Sequence, residues 1–315
     1  MDGTDRLTPT GPESALRRLQ MSEAELFVFV EGVEADRFVV GSICEKALVD
    51  APLTYATRAA ADAGPGGGKG ALLTFFAYLA EHGRLCHTFE GKTTAAVFCL
   101  DKDIDDIRGV RQYSPHAVYT EHYDIQSYIY RHGDLVMGAA AAGSLDPQQL
   151  RGELTESLAW CRAVAGRWQE WVAICVFARR TGLDYRGYGR PSPLNEPPDA
   201  AADLLSHDSE MVQLREASGL SGDEFTQAFG RTAALVKRYY GHDKQDRVFK
   251  GKWYTRILAA AVARLVRDTK YQKAGFEKRV ASAVAATLDF TAPWTQYLAG
   301  PLRTVAGMLR DERDG

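Results

Sequence analysis

The chain has 315 residues, 45% hydrophobic and 25% charged, with a formal net charge of -3, which suits one large or two unequal globular domains. That balance excludes a global basic field, so any surface for a polyanion has to be local. The cysteines Cys44, Cys86, Cys99, Cys161 and Cys175 form no CxxC pair, and no run approaches the roughly 18 apolar residues of a membrane span.

The N-terminal MDGTDRLTPTGPES has neither a basic nor an apolar leader region, so the expectation is a frayed start to a cytoplasmic protein with reduced core thiols and no membrane partner. ESALRRLQ at 13 to 20 reads as a short helix, and LFVFV at 26 to 30 as a buried strand running straight into Glu31-Gly32. Val40, Ile43, Cys44 and Ala47 fit a helix packed on a sheet, and LTYATRA at 53 to 59 a second strand. ADAGPGGGKG at 61 to 70 is a loop with five glycines, and ALLTFFAYLAEHG after it is helical up to a glycine stop.

TTAAVFCL at 93 to 100 is the clearest buried strand, ending in Asp101-Lys102-Asp103-Ile104-Asp105-Asp106, and HAVYT at 116 to 120 is a fourth candidate. Alternation of strands and helices predicts an α/β fold with a mostly parallel sheet flanked by helices and its ligand site at the carboxyl ends of the strands. Beyond about residue 125 the pattern turns helical. The expected organisation is an N-terminal extension over 1–24, an α/β domain over 25–135, and a mainly α-helical C-terminal region over 136–315 with a Pro-rich break near 190–199.

The acids at the strand ends carry the chemistry. Glu31 closes one buried strand before a glycine, and Asp101 and Asp103 close another; alternate residues of an extended chain share a side, so the DxD spacing lets two carboxylates face one hard cation. Either motif alone is most simply a helix N-cap or a solvated turn, and their pairing on adjacent strands argues for a shared magnesium ion. Asp105 and Asp106 read as solvated turn residues.

A hydrophobic strand ending in EG, followed about 70 residues later by one ending in DxD, resembles the Toprim fold shared by topoisomerases, bacterial primases and OLD-type nucleases; the resemblance rests on VFVEGVEADRF and VFCLDKDIDD. VEGVEADRFVV, YTEHYDIQSYI and FKGKWYTRIL further resemble segments of the small AriB-type family, effectors of PARIS anti-phage systems, over about residues 25 to 260. The resemblance implies a Toprim-like sheet, a metal-dependent endonuclease cleaving DNA or RNA, tRNA among the candidates, and an ABC-type ATPase partner that controls it. It implies Glu31 as general acid/base or metal ligand and Asp101 and Asp103 as ligands of Mg2+ with Mn2+ as a substitute, and within FKGK Lys252 is the catalytic candidate to approach substrate phosphate or the acidic site. The opening motif carries one extra residue, leaving Glu34 or Asp36 as the second acid, with Asp36 preferred as a metal ligand; Gln126 replaces a glutamate, making Asp124 the better acidic candidate there.

Two further stretches bear on substrate. GPGGGKG lacks the Walker spacing, at Ala63 and Gly70, but Lys69 beside a helix start can meet phosphate as a point charge. Between Lys237 and Arg256 seven cations, Lys237, Arg238, Lys244, Arg247, Lys250, Lys252 and Arg256, alternate with Tyr239, Tyr240, Phe249, Trp253 and Tyr254. That composition suits a nucleic-acid surface, or equally an ordinary helix with core aromatics and a solvated basic face. Arg179, Arg180, Tyr185, Arg186, Tyr188 and Arg190 form a smaller group that reads more simply as a polar loop. The seven histidines show no HxH or HExxH spacing, and His122 beside Asp124 reads as a capping or surface residue. Three functions stay in view: a magnesium nuclease, a degenerate Toprim module that binds a nucleotide or a partner, and a haloacid-dehalogenase-like phosphatase, whose DxD would continue with threonine where Ile104 stands. Assembly as a homo-oligomer stays open.

Overall fold

Five consecutive apolar residues make a strand only where both faces are covered, and LFVFV is that case. In the computed structural model Leu26–Val30 (β1) is fully buried. The structure describes residues 11–33, 35–152, 154, 156–183, 210–266 and 273–314. Contacts divide the chain into two units, one of Met1–Asp101, Gln112–Thr120 and Asp289–Gly315, the other of Lys102–Arg111 and Glu121–Leu288.

In the first unit β1 lies between Tyr55–Ala59 (β2) and Lys92–Leu100 (β4), parallel to both. The far side of β4 is shared. Its first half pairs antiparallel with Cys86–Phe89 (β3), and its last residues pair parallel with Ala117–Tyr119 (β5). The sheet is therefore mixed, mostly parallel, with one hairpin that the sequence reading did not contain. Phe89 pairs with Lys92 across Glu90-Gly91, whose φ angles of 49° and 78° are those of a two-residue hairpin turn matched to strand twist.

Alternation sorts the two faces. Phe27, Phe29, Ala96 and Phe98 pack with Pro12–Gln20 (α1) and Gly68–Glu81 (α3), where Phe29 stacks on Phe98 (5.0 Å) and Phe75 meets both rings edge-on. The other face is covered by Ala35–Ala47 (α2) and by the last helix of the chain, Gln296–Asp314, which packs on α2, β3, β4 and β5. Each Phe, Leu or Val so buried contributes about 1.5–3 kcal/mol.

The second unit is helical: Asp105–Arg108 (α4), Ile125–His132 (α5), Leu135–Gly143 (α6), Pro147–Leu150 (α7), Ser157–Arg167 (α8), Gln169–Arg180 (α9), Gly222–Gly241 (α10), Gly251–Leu265 (α11) and Lys273–Ala285 (α12). Side-chain oxygens of Asp124, Asp134 and Ser221 cap α5, α6 and α10. At Gly133 a β-carbon would stand 2.7 Å from the Ile129 carbonyl oxygen and 2.9 Å from that of Val284, which lets α12 approach the α5–α6 corner closely.

The α/β sheet followed by helices matches the expected class, but the division falls elsewhere than at 24 and 135. Residues 289–315, expected in a helical C-terminal region, belong with the sheet. The Pro-rich break at 190–199 lies outside the described residues. No described helix is long and apolar enough to cross a membrane, and all five cysteines are thiols. Burial pushes the Cys44 thiol up to about 12, so it is an inert core group.

Candidate functional site

The register of β1 and β4 brings two acids together. Val30 pairs with Cys99, so the chains leave the sheet side by side, and Glu31 Oε1 accepts a hydrogen bond from the Asp101 N–H (2.8 Å). Asp101 is buried and Glu31 half-buried. Both stand at the carboxyl ends of parallel strands, the edge where open α/β sheets bind ligands.

Gly32 has a local reason for being glycine. Its N–H donates to Asp36 Oδ2 (2.9 Å), and a β-carbon there would lie 2.6 Å from Asp36 Cγ. The cause is the Asp36 carboxylate, folded over the turn from the first turn of α2. Asp36 thus ties Glu31-Gly32 to α2, with at least one oxygen engaged by the backbone. Glu34, the other candidate second acid, lies outside the described residues.

Past Asp101 the chain enters the second unit, where the DxD turn continues. Asp103 has φ 49°, a left-handed conformation uncommon outside glycine, and its N–H donates to the Tyr123 carbonyl (2.8 Å). Lys102, between the aspartates, is 1% exposed; its ammonium donates to the Arg247 carbonyl (2.8 Å) and faces Asp106 Oδ2 (3.4 Å). Burial lowers its pKa to about 8, opposed by Asp106. Asp105, expected to be solvated, is buried in the first turn of α4, and Asp106 engages Lys102.

A second acidic node lies in the same unit. Asp124 Oδ1 caps α5 through the Ser127 N–H and hydroxyl (2.9 Å each), while Oδ2 is buried without a hydrogen-bond partner among the described residues. Burial raises its pKa, opposed by the charges of Lys252 and Lys250 and by the Ser127 bonds. The start of α11 sits against this cap: a β-carbon on Gly251 would fall 2.7 Å from the Gln126 carbonyl carbon and nearer still to Asp124 Oδ1 and Ser127 N.

The basic stretch separates into two populations. Lys237, Arg238, Lys244, Lys252 and Arg256 are exposed, and Arg247 and Lys250 half-buried. Phe249, Trp253 and Tyr254 are buried, packed on one another at 4.7 to 5.1 Å about Phe249. These three rings are core and do not form a base-stacking surface. Lys69 is half-buried in the first turn of α3. Arg179 and Arg180 end α9, while Tyr185, Arg186, Tyr188 and Arg190 lie outside the described residues.

His122 stacks on Tyr128 (4.4 Å), and burial, then the charges of Arg131, His132, Lys102 and Arg247, lower its pKa to about 3. It is neutral in the fold at a pH where the unfolded chain, near 6.5, begins to bind a proton. Stability is therefore lost as pH falls from about 6.5 toward 3, with a slope approaching about 1.4 kcal/mol per pH unit for one proton. The raised carboxyls of Asp124 and Asp246 act in the opposite sense. Urea unfolding of wild type and His122→Phe between pH 6.5 and 4.5 isolates the histidine: the variant should lose less stability per unit, and parallel profiles would refute the assignment.

Oxygen-only donors at strand ends suit magnesium, which takes one or two protein carboxylates and completes its shell with water and phosphate oxygens. Glu31 and Asp101 meet that minimum in the first unit. Among the described residues, no group of three or more histidine, cysteine, aspartate or glutamate side chains is placed to hold a metal ion. No protein-family model matches the chain, and no curated protein matches it significantly.

Proposed function

We propose that the chain is a magnesium-dependent nuclease of Toprim type that cleaves phosphodiester bonds in DNA or RNA. One observation carries the reading: Glu31 and Asp101 leave adjacent parallel strands joined by the hydrogen bond from the Asp101 N–H to Glu31 Oε1. Asp103 enters on the DxD pattern. Magnesium bound there would neutralise charge developing on the phosphate oxygens and orient the attacking oxygen. Glu31, with one oxygen anchored, keeps its carboxylate against the strand end, and Asp101, buried at the adjacent strand end, adds a second carboxylate. The exposed cations of 237–256 offer phosphate contacts that position the backbone without reading sequence. The sequence pattern of VEGVEADRFVV and FKGKWYTRIL extends the proposal to an AriB-type anti-phage effector under an ABC-type ATPase.

A second reading, a catalytically degenerate Toprim module, is favoured by two observations: Gln126 stands where a carboxylate is expected, and the Asp36 carboxylate is engaged by the Gly32 N–H. Incubating the purified chain with plasmid, single-stranded DNA and tRNA, with magnesium or with EDTA, separates the two. Cleavage that needs magnesium supports the nuclease; binding without cleavage of any of the three supports the degenerate module.

A further inference from the structure

Arginines of the second unit are of two kinds. Arg162 grips Asp243 with two nitrogens, Nε at 2.6 Å, and Arg131 pairs with the buried Asp246. Arg238 and Arg247 differ: among the described residues neither guanidinium takes part in a hydrogen bond or an ion pair. Arg238 is exposed, but Arg247 is half-buried. Drawing a guanidinium partly out of water with no acid beside it is unfavourable, and its planar fork matches the oxygens of a phosphate.

The reversal of the chain after α10 brings the two arginines together. The Tyr239 carbonyl accepts the N–H groups of His242 (3.3 Å) and Lys244 (2.8 Å), and Asp243 takes a left-handed φ of 58°. The Arg247 N–H then donates to the Lys244 carbonyl (3.0 Å), closing the 3-10 turn Gln245–Arg247, which packs on α10. Arg247 thus returns beside the helix end that carries Arg238 and Tyr239. Charge reports the same proximity: burial and Asp106 raise the pKa of the Tyr239 hydroxyl, opposed by Arg247 and then Arg238. Asp106 is itself engaged by the Lys102 ammonium (3.4 Å). The hydroxyl of the half-buried Tyr239 makes no hydrogen bond among the described residues.

The turn that carries Arg247 is held from three sides. Arg162 fixes Asp243, Arg131 and the Tyr254 hydroxyl (2.9 Å) fix Asp246, and the buried Lys102 ammonium holds the Arg247 carbonyl (2.8 Å). A donor whose backbone is fixed in advance loses less entropy when it binds.

We propose that Arg238, Tyr239 and Arg247 form a clamp for one phosphate group of a nucleic-acid strand, the two guanidinium forks and the tyrosine hydroxyl donating to its oxygens. The inference rests on the nucleic-acid reading of 237–256 given above, lies wholly within the second unit and needs no metal ion.

The test is the fluorescence anisotropy of a labelled single-stranded oligonucleotide titrated with the full chain in EDTA, so that no cleavage intervenes, with thermal melts alongside. Arg247→Gln leaves the carbonyl that holds Lys102, and it and Arg238→Gln should each raise Kd about tenfold, Tyr239→Phe about threefold. Lys244→Gln, an equal change of charge at an exposed neighbour, should raise it no more than about threefold. Arg247→Lys keeps the charge and loses the fork, so most of the loss should remain. Full rescue by lysine, or equal losses in Arg247→Gln and Lys244→Gln, would mean a diffuse basic surface and overturn the clamp. Should Arg247→Gln fail to fold, the exposed Arg238 decides by the same comparison with Lys244→Gln. Calorimetry with inorganic phosphate separates the two sources of the anion: wild type that binds phosphate through Arg247 but not the oligonucleotide overturns the nucleic-acid occupant. Oligonucleotide binding that depends on the clamp, with no cleavage once magnesium is supplied, supports the clamp and removes the nuclease reading alone.

Discussion

Glu31→Gln and Asp101→Asn should each lower metal-dependent cleavage about a thousandfold while shifting the melting temperature by only a few degrees. In the proposed nuclease each removes one charge from a site that would stabilise developing phosphate charge by several kcal/mol, and about 4 kcal/mol of lost stabilisation is three decades in rate. The geometry makes both variants clean. Glutamine keeps a side-chain oxygen to accept the Asp101 N–H, and asparagine at 101 leaves that N–H untouched, so the join between the strand ends survives. Glu31→Ala would be a poorer probe, because stranding a half-buried N–H costs about 1–3 kcal/mol and mixes stability with chemistry. Initial rates against magnesium concentration, with thermal melts on the same samples, check the expectation. Cleavage retained within a few-fold in both variants would remove these residues from the site.

Gly251→Ala should destabilise the protein, against the usual rule that alanine improves on glycine in a helix by about 0.5–1 kcal/mol. The added β-carbon would meet backbone atoms that cannot rotate away, the Gln126 carbonyl carbon at 2.7 Å and the Ser127 nitrogen nearer, together with the capping oxygen of Asp124. Overpacking of that kind costs about 3 kcal/mol, and a disturbed N-cap about 1 kcal/mol more. For a unit of this size the melting temperature should fall by about 10 °C, measured by calorimetry. A variant as stable as wild type would mean that the starts of α5 and α11 are not in contact as described.

The sequence made the centre of the sheet legible because both faces of β1 and β4 are covered, leaving LFVFV and TTAAVFCL as unbroken apolar runs. The paired acids were legible for the same reason, since each ends such a run. The hairpin of β3 and β4 was harder to see, because Cys86–Phe89 is short and half-exposed, and only the Glu90-Gly91 turn marks it. Placement of residues 289–315 on the sheet depends on packing across the whole chain, which no local pattern encodes.

Individual polar residues were least legible. Nothing in DKD says that its lysine is buried, because the carbonyl that accepts its proton lies 145 residues away. Asp36 and Asp124 both carry charge suited to a cation, and both are engaged in holding backbone, over Gly32 and over Ser127. The basic-aromatic alternation of 237–256 reads the same for a stacking surface and for a helix with a core side. Burial of Phe249, Trp253 and Tyr254 decides it for the rings, while five of the seven cations remain exposed.

Binding of Mn2+ to the full chain, followed by water-proton relaxation with and without a short phosphorothioate oligonucleotide, tests most directly whether Glu31 and Asp101 hold a cation against a phosphodiester. With two protein carboxylates as the minimum donor set, affinity should be weak for the protein alone and about tenfold tighter with the oligonucleotide, whose phosphate oxygens fill the shell. Glu31→Gln should abolish that gain. Equal Mn2+ affinity in wild type and Glu31→Gln, with no response to the oligonucleotide, would contradict the proposed site.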